Sequence, residues 1–350
     1  MNITNLSAAV ILMFSLASCS LFDNGSGSNN SSGTIFSGNG LFIVNEGNFN
    51  AGNGSLSYFS LDSMKIFNDI FSTVNGRPLG DVPYSMALSG DYAYIVVNNS
   101  GKIEVTDPNT LKSTGTITGL NSPRNILFIN SLKAYVTSLY SKEIAIVNLV
   151  TNSITGSINI RRTSEAVLKI GDKAYISCWV SGFEIMVVNT ITDQVIDSII
   201  VGHEPESMAL DKNDNIWVLC SGGYSGEYFP QLMSINTSND SIEKRFAFPS
   251  KSDYPSTLRI NTGGDTLYYI NGGIWMMPVV ATSLPQQPLV RSEGRIFYKI
   301  GLSDTGNELF ATNVVDYQQK GYLLRIAKDG TIRDSARTDI IPGYLCFKKK

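Results

Sequence analysis

The stretch YAYIVVNNSGKIEVTD at residues 92–107 alternates apolar side chains, many of them β-branched or aromatic, with polar ones on both sides of a short Asn/Ser/Gly turn. A period of two over several residues predicts two half-buried β-strands joined by a tight turn. Comparable runs follow one another from residue 35 onward, separated by Gly, Asn and Asp, and no sustained helical period interrupts them. The sequence therefore predicts an all-β domain over residues 35–350.

A repeat divides this domain into seven units. An aromatic residue at the second position of a short apolar strand recurs at intervals of 40 to 52 residues, at Phe42, Tyr94, Tyr135, Tyr175, Trp217, Tyr268 and Phe310. Each unit continues with two more strands and then, in most units, a proline-led strand such as VPYSMAL (82–88) or EPESMAL (204–210). Four strands per unit of about 40 residues are typical of propeller blades. We predict a seven-bladed β-propeller with four antiparallel strands per blade.

The two ends of the repeat predict how the domain closes. The ordered part begins at an aromatic strand (LFIVNEG, 41–47) and ends at a proline-led strand (IPGYLCF, 341–347). Pairing of the C-terminal strand with the N-terminal blade completes the seventh blade and leaves no open sheet edge at the ends. A linear solenoid, the alternative, would expose both ends.

The N-terminus has the pattern of an export signal. Residues 6–17 are apolar but fewer than the roughly 20 that span a bilayer, which is the length of a signal-peptide core. The following Leu-Ala-Ser-Cys at 16–19 resembles a bacterial lipobox. We predict a lipoprotein signal peptide over 1–18, lipidation of Cys19, and a flexible Gly/Ser/Asn tether within 19–34; a buried segment of the fold is the alternative. The body would then be anchored to the outer membrane and face the cell exterior.

Composition excludes several function classes. The net charge of −3 and the pI near 5.3 provide no basic field for nucleic acid. Cys178, Cys220 and Cys346 lie far apart in apolar runs, so we expect buried free thiols, no metal site and no cofactor. The single histidine, His203, is expected to hydrogen-bond within its loop.

One face of the propeller is predicted to bind a ligand. The loops after the aromatic strands and those leading into the proline-led strands share this face, and they are rich in aromatic, amide and arginine side chains. Such side chains are enriched in binding surfaces. The candidate ligand-binding residues are Asn45, Asn48, Arg124, Tyr140, Trp179, Tyr224, Tyr228, Tyr254, Trp275 and Tyr317.

Longer stretches resemble a known family. Strands such as LFIVN (41–45) are similar to those of YVTN-type seven-bladed propellers. LFIVNEGNFNAGNGSLSYFSLDS (41–63), GRPLGDVPYSMAL (76–88) and DTLYYINGGIWMMPV (265–279) resemble the surface-exposed vitamin B12-binding propeller lipoproteins. Those proteins cap a TonB-dependent outer-membrane transporter. The resemblance implies cobalamin or a related corrinoid as ligand, and a β-barrel transporter as partner.

Two other functions stay open at this stage. One is a structural or protein-binding propeller of the cell envelope without a small ligand. The other is a lyase or hydrolase that uses carboxylates near the axis, for which the candidates are Glu46, Glu165, Glu204, Glu227 and Asp316. We expect no enzyme and no catalytic residues, because a Ser-His-Asp triad would require the lone His203 and no Gly-x-Ser-x-Gly elbow occurs.

Overall fold

The computed structural model describes residues 36–303, 306 and 308–349. They form seven antiparallel β-sheets, which we number as blades 1 to 7, with their innermost strands in contact around one axis. The predicted signal peptide, Cys19 and nearly all of the tether lie outside the described residues. Within the described part of the chain, no helix is long and apolar enough to cross a membrane.

The strands follow the chain order blade by blade. Blade 1 contains β1 (Gly40–Asn45), β2 (Ser55–Ser60) and β3 (Lys65–Phe67), and the short helix α1 (Ile70–Asn75) follows them. Blade 2 contains β4 (Pro83–Ser89), β5 (Tyr92–Val97), β6 (Lys102–Thr106) and β7 (Ser113–Ile117), and blade 3 contains β8 (Pro123–Phe128), β9 (Lys133–Ser138), β10 (Glu143–Asn148) and β11 (Ser153–Asn159). Blade 4 contains β12 (Val167–Ile170), β13 (Lys173–Ser177), β14 (Glu184–Asn189) and β15 (Gln194–Ile200). Blade 5 contains β16 (Pro205–Leu210), β17 (Asn215–Cys220), β18 (Gln231–Asn236) and β19 (Ser241–Ala247), and blade 6 contains β20 (Ser256–Ile260), β21 (Thr266–Asn271) and β22 (Gly273–Pro278). Blade 7 contains β23 (Phe297–Leu302), β24 (Glu308–Asn313), β25 (Lys320–Ala327) and β26 (Ile332–Ile340). The last strand, β27 (Pro342–Lys348), returns to blade 1.

The closure predicted from the sequence is confirmed. β27 pairs antiparallel with β1, with Phe42 opposite Cys346 and Val44 opposite Tyr344, so blade 1 has the order β27-β1-β2-β3. The innermost strand of every blade is the proline-led one or its equivalent, namely β27, β4, β8, β12, β16, β20 and β23. The two ends of the propeller are therefore joined by backbone hydrogen bonds within blade 1.

Blade 6 departs from the four-strand prediction. Its sheet contains only β20, β21 and β22. The chain beyond β22 carries Pro285 and Pro288, which cannot donate ladder hydrogen bonds. It returns to the sheet only at one bridge between Ile274 and Val290.

The aromatic positions of the repeat pack between neighbouring blades. Six of the seven are almost fully buried, and Tyr268 is half-buried. Two of the tyrosines link one blade to the next through their hydroxyls. The Tyr175 hydroxyl donates to Asp240 Oδ1 at 2.6 Å, and Lys173 Nζ lies 2.6 Å from Asp240 Oδ2. Tyr135 and Lys133 bind Asp193 in the same way. An aromatic ring with a polar tip therefore fills the apolar layer and also links adjacent blades.

The three cysteines that the structure describes are unpaired, as the sequence predicts. Cys178 and Cys220 are buried and Cys346 is half-buried. Burial raises the pKa of all three thiols to about 12, so the reactive thiolate is disfavoured.

Closure of the propeller can be tested at Leu345 on β27. This side chain packs with Leu41, Ile43 and Phe310 across the junction. We expect Leu345→Ala to lower the free energy of unfolding by about 2–4 kcal/mol, because it opens a cavity where the chain ends meet. Urea unfolding measures the loss.

The control for this variant is Leu132→Ala, which removes the same atoms from a side chain that is 58% exposed. It should change stability by no more than about 0.5 kcal/mol. Equal losses in the two variants would contradict the proposed role of the junction.

Candidate functional site

A β-bulge at the start of the innermost strands determines which side chains reach the axis. The pairing register shifts between Pro83 and Ser85 and between Pro205 and Ser207, and equivalent shifts occur in blades 1, 3, 6 and 7. A bulge re-aims side chains and is common beside functional sites. The residue after the proline, or its equivalent, is Tyr84, Arg124, Glu165, Glu206, Ser256, Tyr298 and Gly343 in successive blades.

These positions form a ring around the axis. The six that carry side chains all line one cleft. The seventh is glycine, and a side chain at Gly343 would overlap the carboxylate of Glu46, which follows β1 and also lines the cleft. We call Tyr84, Arg124, Glu165, Glu206, Ser256, Tyr298 and Glu46 the axial ring.

Hydroxyl side chains on the neighbouring strands stabilise the bulges. The amides of Asn125 and Lys299 donate to Thr137 Oγ1 and Thr312 Oγ1, at 2.9 and 3.0 Å. In blade 4, where β12 and β13 pair without a register shift, the amide of Ala166 before β12 likewise donates to a hydroxyl, Ser177 Oγ, at 2.9 Å. A bulge removes an amide from the regular ladder, so these hydroxyls supply the partner that a buried N–H requires.

One half of the axial ring is a buried ion pair covered by an aromatic ring. Arg124 Nε lies 2.7 Å from Glu165 Oε2, and the Tyr84 hydroxyl donates to Glu165 Oε1 at 2.6 Å. The Arg124 guanidinium lies 3.3 Å from the centroid of the Tyr84 ring and 5.5 Å from that of Trp179. These contacts hold the guanidinium in one orientation in the cleft.

The other half contains a carboxyl group whose protonated form is favoured. Burial raises the pKa of Glu46 above its usual 4.5, while Lys299 and a 2.9 Å hydrogen bond from the Tyr298 hydroxyl act in the opposite direction. Burial also raises the pKa of Tyr84 and Tyr298 well above 10, so both hydroxyls keep their protons. The ring thus offers two tyrosine hydroxyls as hydrogen-bond donors beside the ion pair of Arg124 and Glu165.

The cleft holds about 560 Å³, and four of the predicted ligand-binding residues line it: Arg124, Trp179, Tyr254 and Tyr317. The ring of Tyr224 meets Tyr254 edge to face at 6.2 Å. Tyr228 stacks on His203 at 3.4 Å, and Tyr140 is exposed on the loop after β9.

Three predicted residues have other positions. Asn45 is fully buried, and its Nδ2 donates to the hydroxyls of Ser55 and Ser57 inside blade 1. Asn48 is half-buried, and its Nδ2 donates to the carbonyl of Tyr317 at 3.0 Å. Trp275 lies on strand β22, which begins directly after Gly272, and it stacks on Tyr269 beside an outer groove.

The sequence reasoning missed part of the axial ring. Of the five carboxylates expected near the axis, Glu46 and Glu165 line the cleft, whereas Glu204, Glu227 and Asp316 do not. Glu206, Ser256 and Lys299 line it and were not selected. Their common signal is their place within the first three residues of an innermost strand. No cluster of metal-ligating side chains occurs among the residues that the structure describes.

The fold and the axial ring define the chain as a seven-bladed propeller with a cleft at the end of its axis. A family model described as "Domain of unknown function (DUF5074)" matches residues 39–315, and the chain belongs to this family. A comparison with curated protein sequences finds no match.

Similar solved structures share the fold at low identity. A functionally unknown protein from Desulfotomaculum acetoxidans has a TM-score of 0.70 at 13% identity, covering 89% of this chain and 99% of its own. A Quinonprotein alcohol dehydrogenase-like protein from Bacteroides thetaiotaomicron has a TM-score of 0.68 at 13% identity, covering 89% and 78%. The periplasmic gluconolactonase of Pseudomonas aeruginosa has a TM-score of 0.67 at 11% identity, covering 88% and 99%.

The protonation of Glu46 gives a pH-dependent prediction. Because its folded-state pKa is raised, it contributes most to stability below about pH 4.5, and this contribution falls as the pH rises through the folded-state pKa. We therefore expect Glu46→Gln to gain stability relative to the native protein as the pH rises above about 4.5, because the glutamine has no charge to bury. Urea unfolding across this range measures the difference.

Glu143→Gln is the control, because Glu143 is exposed and loses the same charge. A stability difference between Glu46→Gln and the native protein that does not change with pH would contradict the raised pKa of Glu46.

Proposed function

We propose that the chain is a binding protein that captures cobalamin or a related corrinoid in the axial cleft. The observation that carries this proposal is the convergence of Trp179, Tyr254 and Tyr317 above the axial ring, on the face where the loops expose further aromatic rings. The resemblance of loop and strand stretches to vitamin B12-binding propellers supports the same ligand class.

The exposed rings favour a flat, partly apolar ligand. Tyr224 is 87% exposed, and Phe49, Tyr140 and Phe229 are also exposed on loops of this face. Large rings left in water contribute little to folding, and clusters of them mark binding surfaces. A corrin has apolar faces, on which such rings can stack.

The cleft itself offers polar groups suited to the amide-rich edge of a corrin. The indole N–H of Trp179 is buried and has no acceptor among the described residues. A buried donor without a partner costs free energy, which a ligand carbonyl would recover. The volume of the cleft, about 560 Å³, lies within the usual range of small-molecule sites, roughly 300–1,000 Å³. Part of a ligand as wide as a corrinoid would therefore rest on the rim of the cleft.

The setting of this activity is part of the proposal. Lipidation at Cys19 would attach the propeller to the outer membrane, and a TonB-dependent barrel transporter would receive the ligand. The exposed aromatic rim then has a second use, since it can contact the transporter at the moment of transfer.

Binding is tested with purified protein and cyanocobalamin by isothermal titration calorimetry. We expect saturable binding at a ratio near one to one. Tyr254→Ala and Tyr228→Ala should each weaken affinity about tenfold through the loss of ring stacking.

The matched control is Tyr92→Ala, because Tyr92 is 47% exposed at the start of β5, on the opposite face. It should bind like the native protein. Absence of binding by the native protein would reject the ligand and favour a protein-binding propeller. Turnover of a lactone or another ester would favour a hydrolase.

A further inference from the structure

A second chamber lies next to the axial ring along the axis. It holds about 250 Å³ and is lined by the residue that follows each ring position, in six of the seven blades: Asn125, Ala166, Ser207, Thr257, Lys299 and Tyr344. Tyr84, Glu165, Glu206 and Lys299 line both this chamber and the cleft. Consecutive positions on the innermost strands line the cleft and the chamber. The chamber is therefore a second cavity, next to the cleft, that the same strands form.

The carboxylates of this chamber already have partners. Glu165 accepts from Arg124 and Tyr84 in the axial ring. Glu206 Oε2 accepts from the amide of Thr257 at 2.9 Å, and its Oε1 lies 3.9 Å from Lys299 Nζ. Among the described residues, Arg124 is the ion-pair partner of Glu165, and Lys299 is that of Glu206.

Arg259 is the cation that remains. Arg259 lines the chamber, and its guanidinium lies 6.0 Å from the centroid of the Tyr344 ring and donates from Nη1 to the carbonyl of Leu258 at 2.9 Å. Among the described residues no carboxylate lies within 4.0 Å of it. A guanidinium has five N–H donors, and a half-buried charge without a counter-charge is unfavourable.

Other donors face the same space. Ser207 Oγ accepts from the amide of Leu258 at 2.9 Å, which leaves its own proton for a ligand. Burial raises the pKa of Tyr344, so its hydroxyl stays protonated and able to donate. Lys299, whose side chain is 13% exposed and whose Nζ lies 3.9 Å from Glu206 Oε1, also lines the chamber.

We infer that this chamber binds a small tetrahedral oxyanion such as phosphate or sulfate, with Arg259 as its main partner. The chamber has about eight times the roughly 30 Å³ that one water molecule occupies in the liquid, which accommodates such an anion and a few waters. Bidentate contact with an oxyanion is the geometry to which a guanidinium is suited. The inference does not depend on which ligand occupies the cleft.

The test compares phosphate with chloride at equal ionic strength, in the absence of any corrinoid. Thermal unfolding of the native protein should shift to higher temperature in phosphate, and calorimetry should show one site. Arg259→Gln should lower phosphate affinity about tenfold or more, while Arg259→Lys should restore part of it.

Arg291→Gln is the control, because Arg291 is exposed and its guanidinium contacts only Gln287 among the described hydrogen bonds. It should bind phosphate like the native protein. Absence of stoichiometric phosphate or sulfate binding by the native protein would overturn the inference, whether or not Arg259→Gln folds. Unchanged affinity in a folded Arg259→Gln protein would overturn it as well.

Discussion

The β-bulge at the start of the innermost strands is the feature on which the site depends. The fold brings seven strands to one axis, and the bulge then directs the residue after the proline into the cleft. Side-chain hydroxyls from neighbouring strands satisfy the displaced amides, so the irregularity is held in place. Polar groups on the inner strands extend this stabilisation across blades: Ser85 Oγ donates to the carbonyl of Arg124, and Thr257 Oγ1 donates to that of Tyr298.

One repeated backbone geometry therefore carries unrelated side chains. A tyrosine, an arginine, two glutamates, a serine and a second tyrosine occupy the same position in different blades, and a glycine in blade 1 makes room for Glu46. Propellers of this kind host different activities on one fold. The chemistry of this chain is therefore to be sought in its axial ring and in the rim of the cleft. The proposed corrinoid and oxyanion sites are lined by neighbouring residues of the same innermost strands.

Most of the fold could be predicted from the spacing of the aromatic residues, because rings such as Tyr135 and Trp217 fill equivalent places between blades. The absence of a fourth strand in blade 6 could not be predicted in this way. The stretch with Pro285 and Pro288 is long enough for a strand and its turn, but the two prolines lack the backbone N–H groups that a ladder requires. The exposed rim residues were found because loop composition indicates them. Glu206 and Ser256 of the axial ring were missed because a bulge changes which side chain points inward, and simple alternation along a strand does not show this.

Anomalous diffraction at the cobalt edge, from crystals grown with cyanocobalamin, would test the central claim most directly. The account predicts one cobalt peak above the axial ring, within reach of Trp179 and Tyr254. A peak elsewhere, for example at the outer groove beside Trp275, would contradict the assignment of the cleft. Crystals without bound cobalt, grown at saturating ligand, would contradict corrinoid capture itself.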